Sequence, residues 1–267
     1  MRHIVEAYLD EKDGRIVDPT RLRNAWKQAK AHFGHLRPDQ VNPDVCDAYI
    51  AMRRKAGRKD ATILKEINVL RQAMNWRRVT TARFSAPPQP EARDRHLTRD
   101  EFRRLLDGCA QPHVRLFCIL ALATAARKTA VLQLTWDRVD FERRKIRLAV
   151  VGNRRIKGRA IVPMTDRAHE ALEEARKGAM TPYVIEYGGK PVGDIKKGFA
   201  AAVRRAGLED VSPHVLRHSA AVWMAEDGVA FTEIAQYLGH SDPKITYRVY
   251  SRYSPEHLRR AAAALDF

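Results

Sequence analysis

Ser212-Pro213-His214-Val215-Leu216-Arg217-His218-Ser219-Ala220-Ala221 is the segment around which the rest of the chain organises itself. Pro213 stands where a first helical residue is favoured, because its missing N–H would be unpaired there anyway, and a helical pattern follows to about Asp227. The three-residue spacing puts His214 and Arg217 on one face of that helix, near its N-terminus, where the backbone dipole favours an anion. A His-x-x-Arg pair by itself is more often surface decoration or a salt-bridge partner. His218, four residues after His214, raises a metal pair, but the chain lacks a His-Glu-x-x-His pattern and a third ligand cluster, so no metal is expected.

Working outward, Phe231 to Leu238 reads as a helix closed by Gly239, with His240 just beyond, and Asp242 to Tyr253 as a short helix carrying Tyr247, Tyr250 and Tyr253. A last helix spans Pro255 to Leu265. Upstream, Thr165 to Lys177 and Asp194 to Ala206 are helical, while Lys145 to Val151 and Arg159 to Pro163 are β-rich and flank the turn-forming Gly152-Asn153-Arg154-Arg155-Ile156-Lys157-Gly158. That pattern predicts a hairpin with a basic tip. Val114 to Ala126 is apolar nearly all round, as in a buried core helix, and Arg127 sits where the apolar run stops. Thr98 and Glu101 form a capping-box signature for a helix to about Asp107. The class is mainly α with a small antiparallel sheet.

The composition breaks at Ser85-Ala86-Pro87-Pro88-Gln89-Pro90, where the prolines preclude a regular helix and favour an extended linker. The expected division is a helical domain over 1–86, a linker over 87–95 and a second domain over 96–267. The first part reads as about four helices: one opening at Ile4-Val5, then Arg21 to Phe33, Pro43 to about Ala56, and Thr62 to Arg78 with apolar Ile63, Ile67, Leu70 and Met74. Its polar faces carry Arg53, Arg54, Lys55, Arg58, Lys59, Arg77 and Arg78, a cluster whose bland reading is a solvated basic face.

Of the 267 residues, 49 are Lys or Arg and 32 Asp or Glu, and the net charge of +17 points to a polyanionic partner such as nucleic acid. Both parts share it, residues 1–90 at +8 and the remainder at +9. The longest apolar run, about eleven residues, falls well short of the roughly 20 needed to cross a bilayer. The N-terminus lacks the apolar stretch of a secretory signal, and Cys46, Cys109 and Cys118 read as core thiols in a reducing cytoplasm.

Order and spacing are more specific than any single element. The Arg127 region Thr124-Ala125-Ala126-Arg127-Lys128-Thr129-Ala130-Val131-Leu132-Gln133-Leu134-Thr135-Trp136, the basic turn with Lys157, the His214 to Arg217 helix, Tyr237-Leu238-Gly239-His240-Ser241-Asp242-Pro243 and Tyr247-Arg248-Val249-Tyr250-Ser251-Arg252-Tyr253-Ser254-Pro255 together resemble the catalytic domain of the tyrosine recombinases, the phage integrase family. The likeness covers about residues 95–260, and the bundle before it is similar to the family's core-binding domain. Two positions depart from the family pattern: Ala125 stands where glycine is usual, and Ala130 where glutamate is usual.

The resemblance implies a site-specific recombinase that cuts and rejoins double-stranded DNA through a 3′-phosphotyrosyl intermediate, without metal, cofactor or ATP. It assigns catalysis to Arg127, Lys157, His214, Arg217, His240 and the nucleophile Tyr250, with His214 receiving the tyrosine proton and Lys157 protonating the leaving oxygen. Arg154, Arg155 and Arg159 join the basic residues of the bundle as DNA contacts. The implied assembly is a homo-tetramer on two DNA sites, with accessory DNA-bending proteins as possible partners, no membrane, and a cytoplasmic, nucleoid-associated setting in a bacterium or phage. Tyr247 and Tyr253 remain alternative nucleophiles. A catalytically weak DNA-binding regulator and a type IB topoisomerase-like enzyme remain alternative functions.

Overall fold

The computed structural model describes residues 1–16, 18–90, 94–148, 160–255 and 258–265, without the side chains of Arg260 and Ala261. The chain divides into two compact units, Met1–Arg93 and Asp94–Phe267.

The first unit is built from α1 (Arg2–Lys12), α2 (Pro19–Phe33), α3 (Pro43–Lys55) and α4 (Asp60–Trp76). Asp18 and Asn42 start α2 and α3 by accepting from the backbone N–H of Arg21 and Val45, and each is followed by a proline at the first helical position. The four apolar positions expected on α4 (Ile63, Ile67, Leu70 and Met74) all face the core, where they meet Val5, Phe33, Cys46 and Tyr49. Burial of that stripe holds the helices together, since none would be stable alone.

The second unit opens with α5 (Arg99–Asp107), whose Thr98 and Glu101 form the expected reciprocal cap, followed by α6 (Pro112–Ala123) and the short α7 (Lys128–Leu132). Seven of the residues of α6 are buried, so it is the spine of the larger core and packs against two later helices, α8 (Asp166–Lys177) and α10 (Pro213–Glu226). Between α7 and α8 lie β1 (Val139–Asp140), β2 (Lys145–Arg147) and β3 (Ile161–Pro163), an antiparallel sheet in the order β1-β2-β3 with Ile146 opposite both Val139 and Val162. The β2–β3 pair is the base of the expected hairpin; β1 is an added strand. A second small hairpin, β4 (Glu186–Tyr187) with β5 (Lys190–Pro191), turns on Gly188 and Gly189, both at positive φ. The helices α9 (Lys196–Arg205), α11 (Phe231–Leu238), α12 (Pro243–Tyr250) and α13 (Arg259–Ala263) complete the unit. The helix expected to run to Tyr253 ends as α-helix at Tyr250 and tightens into a 3₁₀ turn over Ser251–Tyr253.

A smaller apolar core of Ala125, Ala220, Ala221, Val222, Ala225, Ile234, Leu238 and Tyr250 lies beside the larger one. It gathers the turn after α6, the middle of α10 and the segment α11 to α12, the regions that carry or adjoin the expected Arg127, His214, Arg217, His240 and Tyr250.

Candidate active site

Arg217 is the centre of the arrangement. It sits one turn into α10 and is only 4% exposed. Its Nη1 donates to the carbonyl of Ala125 at 2.8 Å, and its Nη2 donates to the carbonyl of Leu238 at 2.9 Å and reaches His240 Nε2 at 2.9 Å. Each of these partners is placed by local backbone geometry. Ala125 turns the chain after α6 at a φ of +48°, a left-handed conformation that favours glycine. Gly239 closes α11 at a φ of +65°, with its own N–H on Gln236 and that of His240 on Ala235, so the cap aims His240 back at α10.

Because a guanidinium can only donate, His240 Nε2 must accept from Arg217, and the ring proton therefore sits on Nδ1, which donates to Thr246 Oγ1 at 2.8 Å. Burial, then the charges of Arg217 and Arg127, hold His240 below its ordinary pKa, in keeping with a neutral ring. The same causes act on His214, one turn before Arg217, although that residue is exposed overall. Arg127 precedes α7 as an exposed side chain whose charge also bears on Arg217. Burial first, and Arg127 second, pull Arg217 down to about 10, so it remains a cation at neutral pH. Among the described residues, the hydrogen-bond partners of this buried cation are all neutral. Such a charge is costly, and an anion delivered to the same place relieves the cost.

Tyr250, at the end of α12, is buried in the small core, and its phenol is raised above the ordinary tyrosine range by burial, against the pull of Arg217. The two neighbouring tyrosines are placed differently. Tyr247 is 59% exposed and packs edge-on against Phe231. Tyr253 donates to Asp94 and is pushed up to about 12 by burial and that carboxylate. Tyr253 packs at the edge of the small core, but of the three only Tyr250 is buried in it and has its phenol under the pull of Arg217.

The hydroxyl of Tyr250 meets a residue to which the sequence reading gave no role in catalysis. His218 Nδ1 lies 3.2 Å from Tyr250 Oη, so the hydrogen bond expected for His214 is made by its neighbour one turn on. The four-residue spacing that suggested a metal pair instead divides the two histidines between Arg217 and Tyr250. Among the described residues no group of His, Cys, Asp and Glu could hold a metal ion. Ala130, where glutamate is usual, is buried in the larger core.

Lys157, Arg154, Arg155 and Arg159 lie outside the described residues. In the first unit, Arg53 must be removed from the basic face. Its Nε and Nη2 bind both oxygens of Glu66 at 3.0 and 2.7 Å, and its side chain is only 11% exposed. Arg54 pairs with Asp60 at the surface, whereas Lys55, Arg58, Lys59, Arg77 and Arg78 are exposed.

Comparison with known proteins identifies the family and the fold. The phage integrase family matches residues 95–257. The integrase of Salmonella phage P22 is 30% identical over 225 residues, covering 77% of this chain but 57% of the longer relative. Tyrosine recombinase XerA of Thermococcus kodakarensis is 28% identical over 96% of this chain and 92% of its own length. The fold is shared with the Tn1549 transposon integrase in complex with a circular intermediate DNA (TM-score 0.76, 17% identity, 98% and 99% of the two chains). It is also shared with a lambda integrase dimer bound to a core site (TM-score 0.73, 17% identity, 96% and 78%). The chain belongs to the phage integrase family of tyrosine recombinases.

Proposed function

We propose that the protein is a site-specific recombinase that cuts and rejoins double-stranded DNA with Tyr250 as nucleophile. The observation that carries this reading is the buried, charged Arg217 held by neutral groups in the same cluster as Tyr250. A DNA phosphate is the anion that such a cation lacks. Arg217 and Arg127 clamp its non-bridging oxygens and offset the charge that builds as phosphorus becomes pentacoordinate. A phosphate that draws the Arg217 N–H away from His240 lets that ring take up a proton at Nε2 and donate to the phosphate in turn. His214 borders the same anion from the N-terminal turn of α10. Lys157, by the family likeness, protonates the leaving 5′-oxygen.

Tyr250 Oη attacks phosphorus, and the bond from phosphorus to the 5′-oxygen breaks. The 3′-phosphotyrosyl link conserves the bond energy, so a partner strand's 5′-hydroxyl reseals the backbone without metal or ATP. Residues 1–86 serve as a DNA-binding bundle tied by the linker over 87–95 to the catalytic domain over 96–267, with Arg54, Lys55, Arg58, Lys59, Arg77, Arg78, Arg154, Arg155 and Arg159 as phosphate contacts. The net charge of +17 and the DNA-bound state of the Tn1549 and lambda integrase structures support that reading. The working assembly is a homo-tetramer on two DNA sites, aided by DNA-bending proteins, in the cytoplasm. No helix of the described residues is long and apolar enough to cross a membrane.

The test is to mix the full chain with nicked duplexes from both flanks of its own gene in EDTA, and then to analyse the products. An SDS-resistant protein–DNA complex followed by exchanged strands is expected. Relaxed circles or sealed hairpin ends in place of exchanged strands would move the assignment to another phosphotyrosyl enzyme. Cleavage that EDTA abolishes would sink the metal-free mechanism.

A further inference from the structure

His218 touches the atom that must lose a proton. Its Nδ1 is 3.2 Å from Tyr250 Oη, with the two ring centroids 5.3 Å apart. The opposite ring nitrogen, Nε2, is buried without a hydrogen-bond partner and faces Oδ1 of Asp94 at 3.6 Å. Asp94 is itself anchored, accepting from Tyr253 Oη and from Arg252 Nη2, both on the turn that directly follows the nucleophile. His96 stands against the His218 ring at 6.2 Å between centroids, and His214 lies one turn before it on α10. Thus one carboxylate, one arginine, two histidines and two tyrosines surround this imidazole, and the only anion among them faces Nε2.

We propose that His218 accepts the Tyr250 proton during cleavage and that Asp94 is a positioning residue that holds the ring with its proton on Nε2. This rests on Tyr250 being the nucleophile. The orientation follows from electrostatics. A proton on Nε2 points at a carboxylate and leaves a lone pair on Nδ1 for the phenol, whereas the other tautomer turns a lone pair toward Asp94. In the step itself the Tyr250 O–H bond breaks and its proton passes to His218 Nδ1. The phenolate oxygen bonds to phosphorus, and the departing 5′-oxygen takes its proton from the general acid. The imidazolium, facing Asp94, holds the proton until religation returns it to Tyr250. The arrangement of nucleophile, base and orienting carboxylate has the logic of a hydrolase triad built on a tyrosine. Burial keeps His218 below its ordinary pKa and Tyr250 above its own, so at neutral pH the base is unprotonated and the phenol carries the proton to be moved.

Two measurements on the full chain decide it. Nitrogen-15 NMR of the histidine rings at neutral pH, with His218 assigned through His218→Gln, reports the tautomer. A proton on Nε2, and an Nδ1 resonance that moves in Tyr250→Phe, are expected. A proton on Nδ1 would overturn the proposal, because the ring would then donate to the phenol.

The second measurement is single-turnover formation of the covalent complex with the nicked gene-flank duplex. His218→Gln is expected to slow it by about 100-fold, the lower range for a lost general base. A fluorinated tyrosine at position 250, whose phenol ionises more readily, is expected to recover much of that loss. Asp94→Asn is expected to move the acid limb of the rate profile to lower pH, since the carboxylate raises the His218 pKa. An undiminished His218→Gln rate, or a loss that fluorination leaves unchanged, would overturn the proposal. A covalent complex that persists in Tyr250→Phe would instead overturn the nucleophile assignment beneath it.

Discussion

Arg53 in the helical unit and Arg217 in the larger unit are both withdrawn from water, and they are held in opposite ways. Arg53 is closed by a carboxylate: Glu66 takes two of its N–H groups and also the hydroxyl of Tyr49 at 2.8 Å. Arg217 is closed by two carbonyls and a neutral imidazole. The first arrangement satisfies the charge inside the protein, so its role is to join α3 to α4. The second satisfies the guanidinium's geometry but not its charge, which is the condition of a cation kept for a ligand. Burial of an arginine therefore says little until its partners are known.

The comparison predicts opposite consequences for two substitutions. Arg217→Gln should lower covalent complex formation by at least about 1,000-fold, the scale of a lost arginine at a phosphoryl transition state. Its midpoint in urea should stay level or rise, because an uncompensated buried charge has gone. Arg53→Ala should cost about 3 to 5 kcal/mol of stability by stranding Glu66, while DNA cleavage at saturating protein and low temperature stays near the native rate. A melted Arg217→Gln, or a stable but inactive Arg53→Ala, would break the distinction. Replacing the whole cluster as Arg53→Met, Glu66→Leu and Tyr49→Phe should return stability to the native level or above it, since the packed apolar set escapes the desolvation penalty and leaves no buried hydroxyl without a partner.

A subtler variant sharpens the Arg217 side. Thr246→Val removes the acceptor that fixes the His240 proton on Nδ1, and the loss of one buried hydrogen bond should slow cleavage by about tenfold. Arg95 tests the rule at a half-buried site within the catalytic unit. It binds both oxygens of Glu101 at 2.9 and 2.7 Å and, with the Thr98 backbone helping against burial, holds that carboxyl at about 2. The folded-state pKa is depressed, so the pair's stabilisation is fully present above about pH 4.5 and is lost as pH falls toward 2. Acid unfolding of Glu101→Gln should lack that segment of pH dependence. The Thr98→Ala variant should lose about 1 kcal/mol at all pH values through the helix cap alone.

What the sequence made legible follows the range of each interaction. Local devices were readable: the Ile63, Ile67, Leu70 and Met74 stripe, the Thr98 and Glu101 cap, Gly239 before His240, and the base of the β2–β3 hairpin. Elements as short as Val139–Asp140 and Glu186–Tyr187 have no periodicity to detect, so β1 and the β4–β5 hairpin appear only in the fold. Partners on different elements were equally hidden. The charge of Arg53 is used by Glu66 on the next helix, and His218 gains its meaning from Asp94, far upstream in the chain. The spacing of His214 and His218 was visible, but a single turn of helix decides which of them meets Tyr250, and that depends on how α12 packs against α10. Ala125 shows the reverse case: a departure from the family's glycine was plain in the sequence, and the structure supplies the reason that glycine is usual there.

The central claim is that Tyr250 is the residue that becomes joined to DNA. Trapping the complex on nicked gene-flank duplex in EDTA, digesting protein and DNA, and locating the nucleotide-bearing peptide by mass spectrometry would address it directly. The account predicts a 3′-phosphate on Tyr250 and none on Tyr247 or Tyr253. A nucleotide on either of those tyrosines, or on any other side chain, would contradict it.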